Sequence, residues 1–202
     1  MSSGPDVPAG RRIGLLGGSF DPPHEGHMHI TRWALTRFRL NRIWWLVSPG
    51  NPLKTRGPAD MERRLDACRA LIGSSRAGAR VEATDIEARL GTRFTADTLA
   101  ALKRLHPGVR FSWLMGADNL TEFHLWEDWR WIMETFPVGV LARPGAAAKA
   151  ALSPAARRYR RFRLDAAGAG RLSYRRAPAW ALLTGAMSPA SSTAIRARGD
   201  WP

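Results

Sequence analysis

Cysteine is nearly missing from this chain: Cys68 is the only one. No internal disulfide can form, which excludes a disulfide-stapled secreted scaffold and points to a reducing compartment. Long apolar runs are missing too. Stretches such as Ile43 to Val47 fall far short of the roughly 20 residues that span a bilayer. No secretory signal opens the chain; Met1 to Gly10 carries Pro, Gly and Ser without an apolar core, so residues 1–10 read as a disordered leader and 11–202 as a single domain. The expected location is cytoplasmic, with no membrane partner. Lysine is scarce, at 54, 103 and 149 only, so the net charge of +14 is almost entirely arginine. Such a surface attracts anions, either nucleic acid or small phosphorylated molecules.

Two familiar phosphate-binding patterns are also lacking. A dinucleotide fingerprint needs G-x-G-x-x-G and a carboxylate about 20 residues later. The chain has Gly14-Leu15-Leu16-Gly17-Gly18, and Val47-Ser48-Pro49 where the acid should stand. There is no G-x-x-x-x-G-K-[ST]. His24, His27 and His29 cluster, but a structural zinc site wants four ligands, commonly with paired cysteines. Cys68 shares a helical stripe with Met61, Leu65 and Ile72 and reads as core, and His29 as packing or surface. No protein-held metal is expected.

What is present is an alternation. Strand-like runs at Arg12–Leu16, Ile43–Ser48, Arg80–Thr84, Arg110–Met115, Pro137–Ala142 and Ala179–Thr184 alternate with helical patterns. The latter cover Gly26–Phe38, Asp60–Ile72, Thr95–Leu105, Trp129–Phe136, Pro154–Arg161 and Ser192–Arg198. This predicts an α/β fold, a parallel sheet with helices on both faces, with ligands beyond the carboxyl ends of the strands. Gly17, Ser48, Gly116 and Arg143 fall just past strands, which puts them on one rim. Gly145 to Ser153 reads as a small-residue loop. The run Arg157 to Arg163 is the densest basic cluster and reads as a solvated helix face, with nucleic acid not expected as a partner.

The most informative stretch is Gly17-Gly18-Ser19-Phe20-Asp21-Pro22-Pro23-His24-Glu25-Gly26-His27. Glycines let the backbone approach a ligand, the prolines stiffen the turn, and histidines spaced i, i+3 share a face if already helical. Glycines, paired imidazoles and a helix N-terminus together suit a phosphate chain.

With that string go Asn51-Pro52-Leu53-Lys54, Thr92-Arg93-Phe94-Thr95-Ala96-Asp97-Thr98-Leu99 and Met115-Gly116-Ala117-Asp118-Asn119. Trp126, Leu141-Ala142-Arg143-Pro144-Gly145 and Ser191-Ser192-Thr193-Ala194-Ile195-Arg196 follow in order. Together they resemble the bacterial nicotinate-nucleotide adenylyltransferases, in the His-x-Gly-His nucleotidyltransferase superfamily. Leu53 stands where that family often has histidine, and Phe94 where it has tyrosine. The resemblance implies a Rossmann-like, doubly wound nucleotidyltransferase domain over 11–202. It also implies transfer of the adenylyl group of ATP to nicotinate mononucleotide, with release of pyrophosphate, in NAD biosynthesis. His24, His27 and Arg196 are then the catalytic residues. ATP falls to Gly17, Gly18, Ser19, Phe20, His24, His27, Gly116, Asp118, Ser191, Ser192, Thr193 and Arg196. The mononucleotide falls to Asn51, Lys54, Thr95, Trp126 and Arg143. Mg²⁺ would be held mainly through the ATP phosphates. Two rivals stay open: a pantetheine-phosphate adenylyltransferase, and a non-catalytic basic nucleic-acid-binding protein. Assembly into a homo-oligomer is left open as well.

Overall fold

The structure, a computed structural model, describes residues 8–50, 58–143, 145–185 and 192–201. Asn51, Lys54 and Ser191 lie outside these residues, as does the expected leader through residue 7. Seven strands, β1 (Arg12–Gly18), β2 (Arg42–Val47), β3 (Val81–Thr84), β4 (Arg110–Gly116), β5 (Val138–Ala142), β6 (Arg163–Leu164) and β7 (Trp180–Thr184), form one sheet. The order is β3-β2-β1-β4-β5-β7-β6 and every pairing is parallel.

The strands are buried on both sides, which is why their sequences run apolar without alternating. In β2, Ile43, Trp45 and Val47 pack on one side, with α1 (Glu25–Arg37), α2 (Met61–Gly73) and a 3₁₀ segment, Gly168–Tyr174. Trp44 and Leu46 pack on the other. There they meet α3 (Ile86–Leu90), α4 (Thr95–Leu105), α5 (Ala117–Glu122), α6 (Trp129–Thr135), α7 (Ala146–Ala151) and α8 (Pro154–Arg158). A last short helix, α9 (Ser192–Ala197), follows β7. The doubly wound α/β architecture expected from the alternation is therefore present.

Two local expectations are corrected. The stretch 145–153, expected as a loop, contains α7. Alanine is the best helix former, and Ala150 is fully buried in the core where α7 packs on α5 and β7, so this run gains more as a helix than as a loop. The Arg157–Arg163 cluster is not one helix face either: α8 stops at Arg158, a 3₁₀ turn covers Arg160–Phe162, and β6 begins at Arg163. Tyr159 is buried, its hydroxyl donates to Glu134 at 2.5 Å, and its backbone carbonyl accepts from the Trp180 indole at 2.9 Å. Arg161 and Arg163 lie over the rings of Phe162 and Trp180, 4.7 and 5.3 Å from their centroids.

Close packing explains one glycine away from the rim. A Cβ on Gly139 in β5 would lie 2.5 Å from Phe38 Cε2 and 2.9 Å from Leu114 Cδ2, both fully enclosed side chains. Gly139→Ala is expected to cost about 1–3 kcal/mol, the usual range for overpacking. A urea titration checks this; an unchanged midpoint would mean that Phe38 yields without strain.

Candidate active site

The carboxyl ends of β1, β2, β4 and β5 share one edge, since Gly18 pairs with Val47 and Gly116 with Leu141. The sequence-predicted rim of Gly17, Ser48, Gly116 and Arg143 is thus assembled. It opens where the strand order reverses between β1 and β4, the usual ligand crevice of such sheets. Two cavities, about 520 and 390 Å³, lie elsewhere, among residues such as Val109, Pro137 and Pro178 that precede strands. Neither cavity includes a residue of the glycine loop.

The loop from β1 to α1 is tightly held. A Cβ on Gly17 would sit 2.6 Å from Trp113 Cη2, so glycine is required for the strand end to lie on that indole. Phe20 has φ 46°, a left-handed conformation that costs a non-glycine residue energy. Its buried ring repays this by stacking on Trp45 at 4.8 Å, with the His27 ring also 4.8 Å away.

The two histidines differ from the simplest helical picture. His24 is not in the helix; it is the N-cap of α1, with φ −151° and ψ 169°. Its Nδ1 accepts from the Gly26 N–H at 3.1 Å, while His27 Nδ1 accepts from the His24 N–H at 3.1 Å. This is a capping box built from imidazoles instead of hydroxyl and carboxylate. The ring centroids are 4.0 Å apart. Because each Nδ1 is an acceptor, each neutral ring carries its proton on Nε2. Burial, followed by the charge of Arg143, lowers the pKa of His24. Burial, followed by His24 itself, lowers that of His27 to about 3. Both rings are therefore neutral Nε2–H donors at pH 7.

The other residues fall around this pair. Arg143, exposed just past β5, stands close enough for its charge to act on His24. Gly116 caps α5 without a side-chain hydrogen bond, faces open space, and is followed by exposed Asp118. Arg196 on α9 donates to the Asp21 carbonyl and lies 3.7 Å from the Asp21 carboxylate. Ser192 donates to the Pro22 carbonyl at 2.9 Å, and Thr193 Oγ1 accepts from Arg196 at 3.4 Å. Distant in sequence, α9 is thus docked on the histidine loop. Thr95 opens α4, whose N-cap Phe94 provides no side-chain bond. Trp126, half-buried, meets Phe123 and Trp113 edge to face at 5.2 and 6.3 Å. Through Trp113 it is linked to Gly17.

Among the described residues, no three of His, Cys, Asp and Glu gather to hold a metal ion. The two imidazoles and Arg196 offer N–H donors, which suit anion oxygens. Cys68 is buried in the core, and that burial pushes its thiol up to about 12, so it is a packing residue. No helix among the described residues is long and apolar enough to cross a membrane.

Reading the sequence missed two members of this region. Asp21 accepts from the Trp201 indole at 2.7 Å and from the Ala59 N–H at 3.3 Å, besides meeting Arg196. Arg64 is the second. Its signal was available: it lies on the buried face of α2 beside Leu65, Cys68 and Ile72, where an arginine is out of place.

The model of the cytidylyltransferase-like family matches residues 15–198. A protein of Ruegeria pomeroyi, described as a "probable nicotinate-nucleotide adenylyltransferase", is 58% identical over 192 residues, 95% of this chain and 88% of its own. One of Cereibacter sphaeroides with the same description is 61% identical over 189 residues, 94% of this chain and 98% of its own. The solved nicotinic acid mononucleotide adenylyltransferase of Plasmodium falciparum, complexed with NaAD, shares the fold at TM-score 0.69 and 18% identity, over 93% of this chain and 83% of that one. With the glycine loop, the imidazole pair and the docked arginine in place, the chain belongs to the cytidylyltransferase-like family and, within it, to the nicotinate-nucleotide adenylyltransferases.

Proposed function

We propose that the chain transfers the adenylyl group of ATP to nicotinate mononucleotide, giving nicotinate adenine dinucleotide and pyrophosphate, in NAD biosynthesis. The observation that carries this reading is the reciprocal His24–His27 cap, which presents two neutral Nε2–H donors beside a glycine loop. A 5′-phosphate oxygen of the mononucleotide attacks the α-phosphorus of ATP in line. The new P–O bond forms as the bond to the β-phosphate oxygen breaks, and pyrophosphate leaves with that electron pair. The attacking phosphate is already ionised near neutral pH, so no base is needed and catalysis is positioning and charge stabilisation.

Within that scheme the backbone of Gly17, Gly18, Ser19 and Phe20 receives the phosphates. His24 and His27 donate to oxygens on which charge builds. With a pKa of about 3, His27 serves as a hydrogen-bond donor, not as a proton reservoir. Ser191, Ser192, Thr193 and Arg196 hold the leaving β,γ-phosphates; Arg196 exchanges a backbone carbonyl for a doubly charged partner, a stronger acceptor. Gly116 and Asp118 take the adenosine ribose. The N–H groups opening α4 at Thr95 suit the nicotinate carboxylate, and the indole of Trp126 suits the pyridine ring. Asn51, Lys54 and Arg143 serve the mononucleotide phosphate. Mg²⁺, held mainly through the ATP phosphates and water, would offset the charge that builds on the leaving pyrophosphate. That the strands of the described residues join in one sheet supports reading 11–202 as a single nucleotidyltransferase domain.

A coupled assay tests the reading: pyrophosphate should appear only when ATP, Mg²⁺ and nicotinate mononucleotide are all present. Turnover with pantetheine phosphate instead, or none with any mononucleotide, would reject it. His27→Ala should lower kcat on the order of a hundredfold, as loss of a transition-state donor does, with an unchanged circular dichroism spectrum. Wild-type turnover by this variant removes His27 from the mechanism. Trp126→Ala should raise KM for the mononucleotide more than KM for ATP; an equal rise would make the indole a packing residue.

The lowered pKa values also set an acid sensitivity. Unfolded, His27 takes a proton near its ordinary 6.5; folded, only near 3. Between these values the unfolded chain binds more protons. This stabilisation is complete above pH 6.5 and is lost as pH falls toward 3, at up to about 1.4 kcal/mol per pH unit for this group. Urea midpoints at pH 7.5 and pH 5 for wild type and His27→Gln check it. The variant should show the smaller drop, and equal drops would clear His27 of the effect.

A further inference from the structure

Among the described residues, Arg64 is the one arginine, lysine or carboxylate classed as buried, at 1% exposure. Burying a guanidinium is costly unless its donors are filled, and a well-packed apolar side chain often stabilises such a position better. Three of the five donors of Arg64 are filled by backbone carbonyls. Nε donates to the Ala59 carbonyl at 2.7 Å, and Nη1 to the Ser19 and Ser48 carbonyls at 2.8 and 2.7 Å. Nη2 faces Met61 Sδ at 3.8 Å. Burial lowers the pKa of Arg64 from its ordinary value, and the nearby charges of Asp21 and Asp60 oppose that shift without a direct ion pair to either.

The three carbonyls lie at informative places. Ser19 is in the glycine loop. Ser48 closes β2 and leads into the segment that carries Asn51 and Lys54; Ala59 lies beyond that segment, just before α2. One guanidinium therefore ties both ends of the β2–α2 connection to the phosphate loop. The Ser19–Phe20 peptide is not among the cis bonds of the chain. In a planar trans peptide the carbonyl and the following N–H point opposite ways. With the Ser19 oxygen drawn inward to Arg64, the Phe20 N–H is aimed outward, and Phe20 is held in its left-handed conformation with its ring against Trp45 and His27.

We propose that Arg64 is a positioning residue for adenylyl transfer: it orients the Ser19–Phe20 peptide as a phosphate donor and sets the glycine loop against Ser48 after β2 and Ala59 before α2. The inference rests on the functional reading above. Lysine keeps the charge but concentrates its donors on one nitrogen, and it cannot reproduce the fork that reaches three carbonyls.

Arg64→Lys tests this in the full chain, with wild type measured in parallel. The variant should keep its circular dichroism spectrum, lose on the order of ten- to a hundredfold in kcat, as a misplaced loop does, and show a raised KM for ATP. Amide exchange at Ser19 and Phe20 should quicken while β4 and β5 stay protected. If Arg64→Lys melts lower but retains kcat and both KM values, the arginine is merely structural and the inference fails. Should lysine not be accommodated, Arg64→Ala gives the second measurement: added guanidinium, below denaturing concentration, should restore part of kcat, and a folded variant that stays unrescued overturns the role. A wild-type enzyme without turnover overturns the functional reading and this inference together, whereas active wild type with an unaffected variant overturns the inference alone.

Discussion

The mutual capping of His24 and His27 is the constraint on which the rest of the site depends. Each imidazole gives its Nδ1 to a backbone N–H at the start of α1. One pair of hydrogen bonds thereby does three things. It begins the helix, it fixes both rings in orientation, and it decides which nitrogen carries the proton. Burial then keeps the rings uncharged. A positively charged pair would repel itself at a centroid spacing of 4.0 Å; a neutral pair can sit side by side and still donate.

This cap is held from beneath and from the side. Trp45 stacks on Phe20, and the Trp45 indole donates to Thr31 of α1 at 2.8 Å, so sheet and helix are locked in register below the rings. Arg64 holds the preceding carbonyl. Asp21 gathers the chain's distant parts: Ala59 before α2, Arg196 on α9 and the indole of Trp201, over which Arg63 lies at 4.7 Å. The His24–His27 pair and Arg196 are thus pre-oriented by neighbouring side chains. That arrangement suits a reaction driven by electrostatic preorganisation.

The excess of arginine takes on a structural meaning in the folded chain. Arg80 donates to the carbonyls of Leu40 and Asn41, and Arg12 to that of Arg39 while lying over Tyr174. Arg110 reaches the Tyr174 carbonyl at 3.4 Å. These side chains close connections between elements by satisfying carbonyls that the sheet leaves unpaired. In these cases the arginines behind the net charge of +14 serve connections within the fold.

Much of the design could be read before folding. Apolar runs bounded by glycines and prolines located six of the seven strands of the sheet, because burial on both faces leaves a strand no freedom to be polar. The glycine and histidine string raised the expectation of a phosphate site, since its residue types and order matter locally. What local pattern could not supply was decided by packing. β6, two residues long, exists only as an edge on β7. α7 forms because Ala150 meets a core built from remote strands. The bond of Arg196 to the histidine loop and the inward turn of Arg64 join residues far apart along the chain. Sequence determined the chemistry available at the rim, through the kinds of groups placed there. Tertiary structure alone decided which of them meet, because hydrogen bonds and buried charge are satisfied by neighbours in space, and periodicity along a chain does not encode those neighbours.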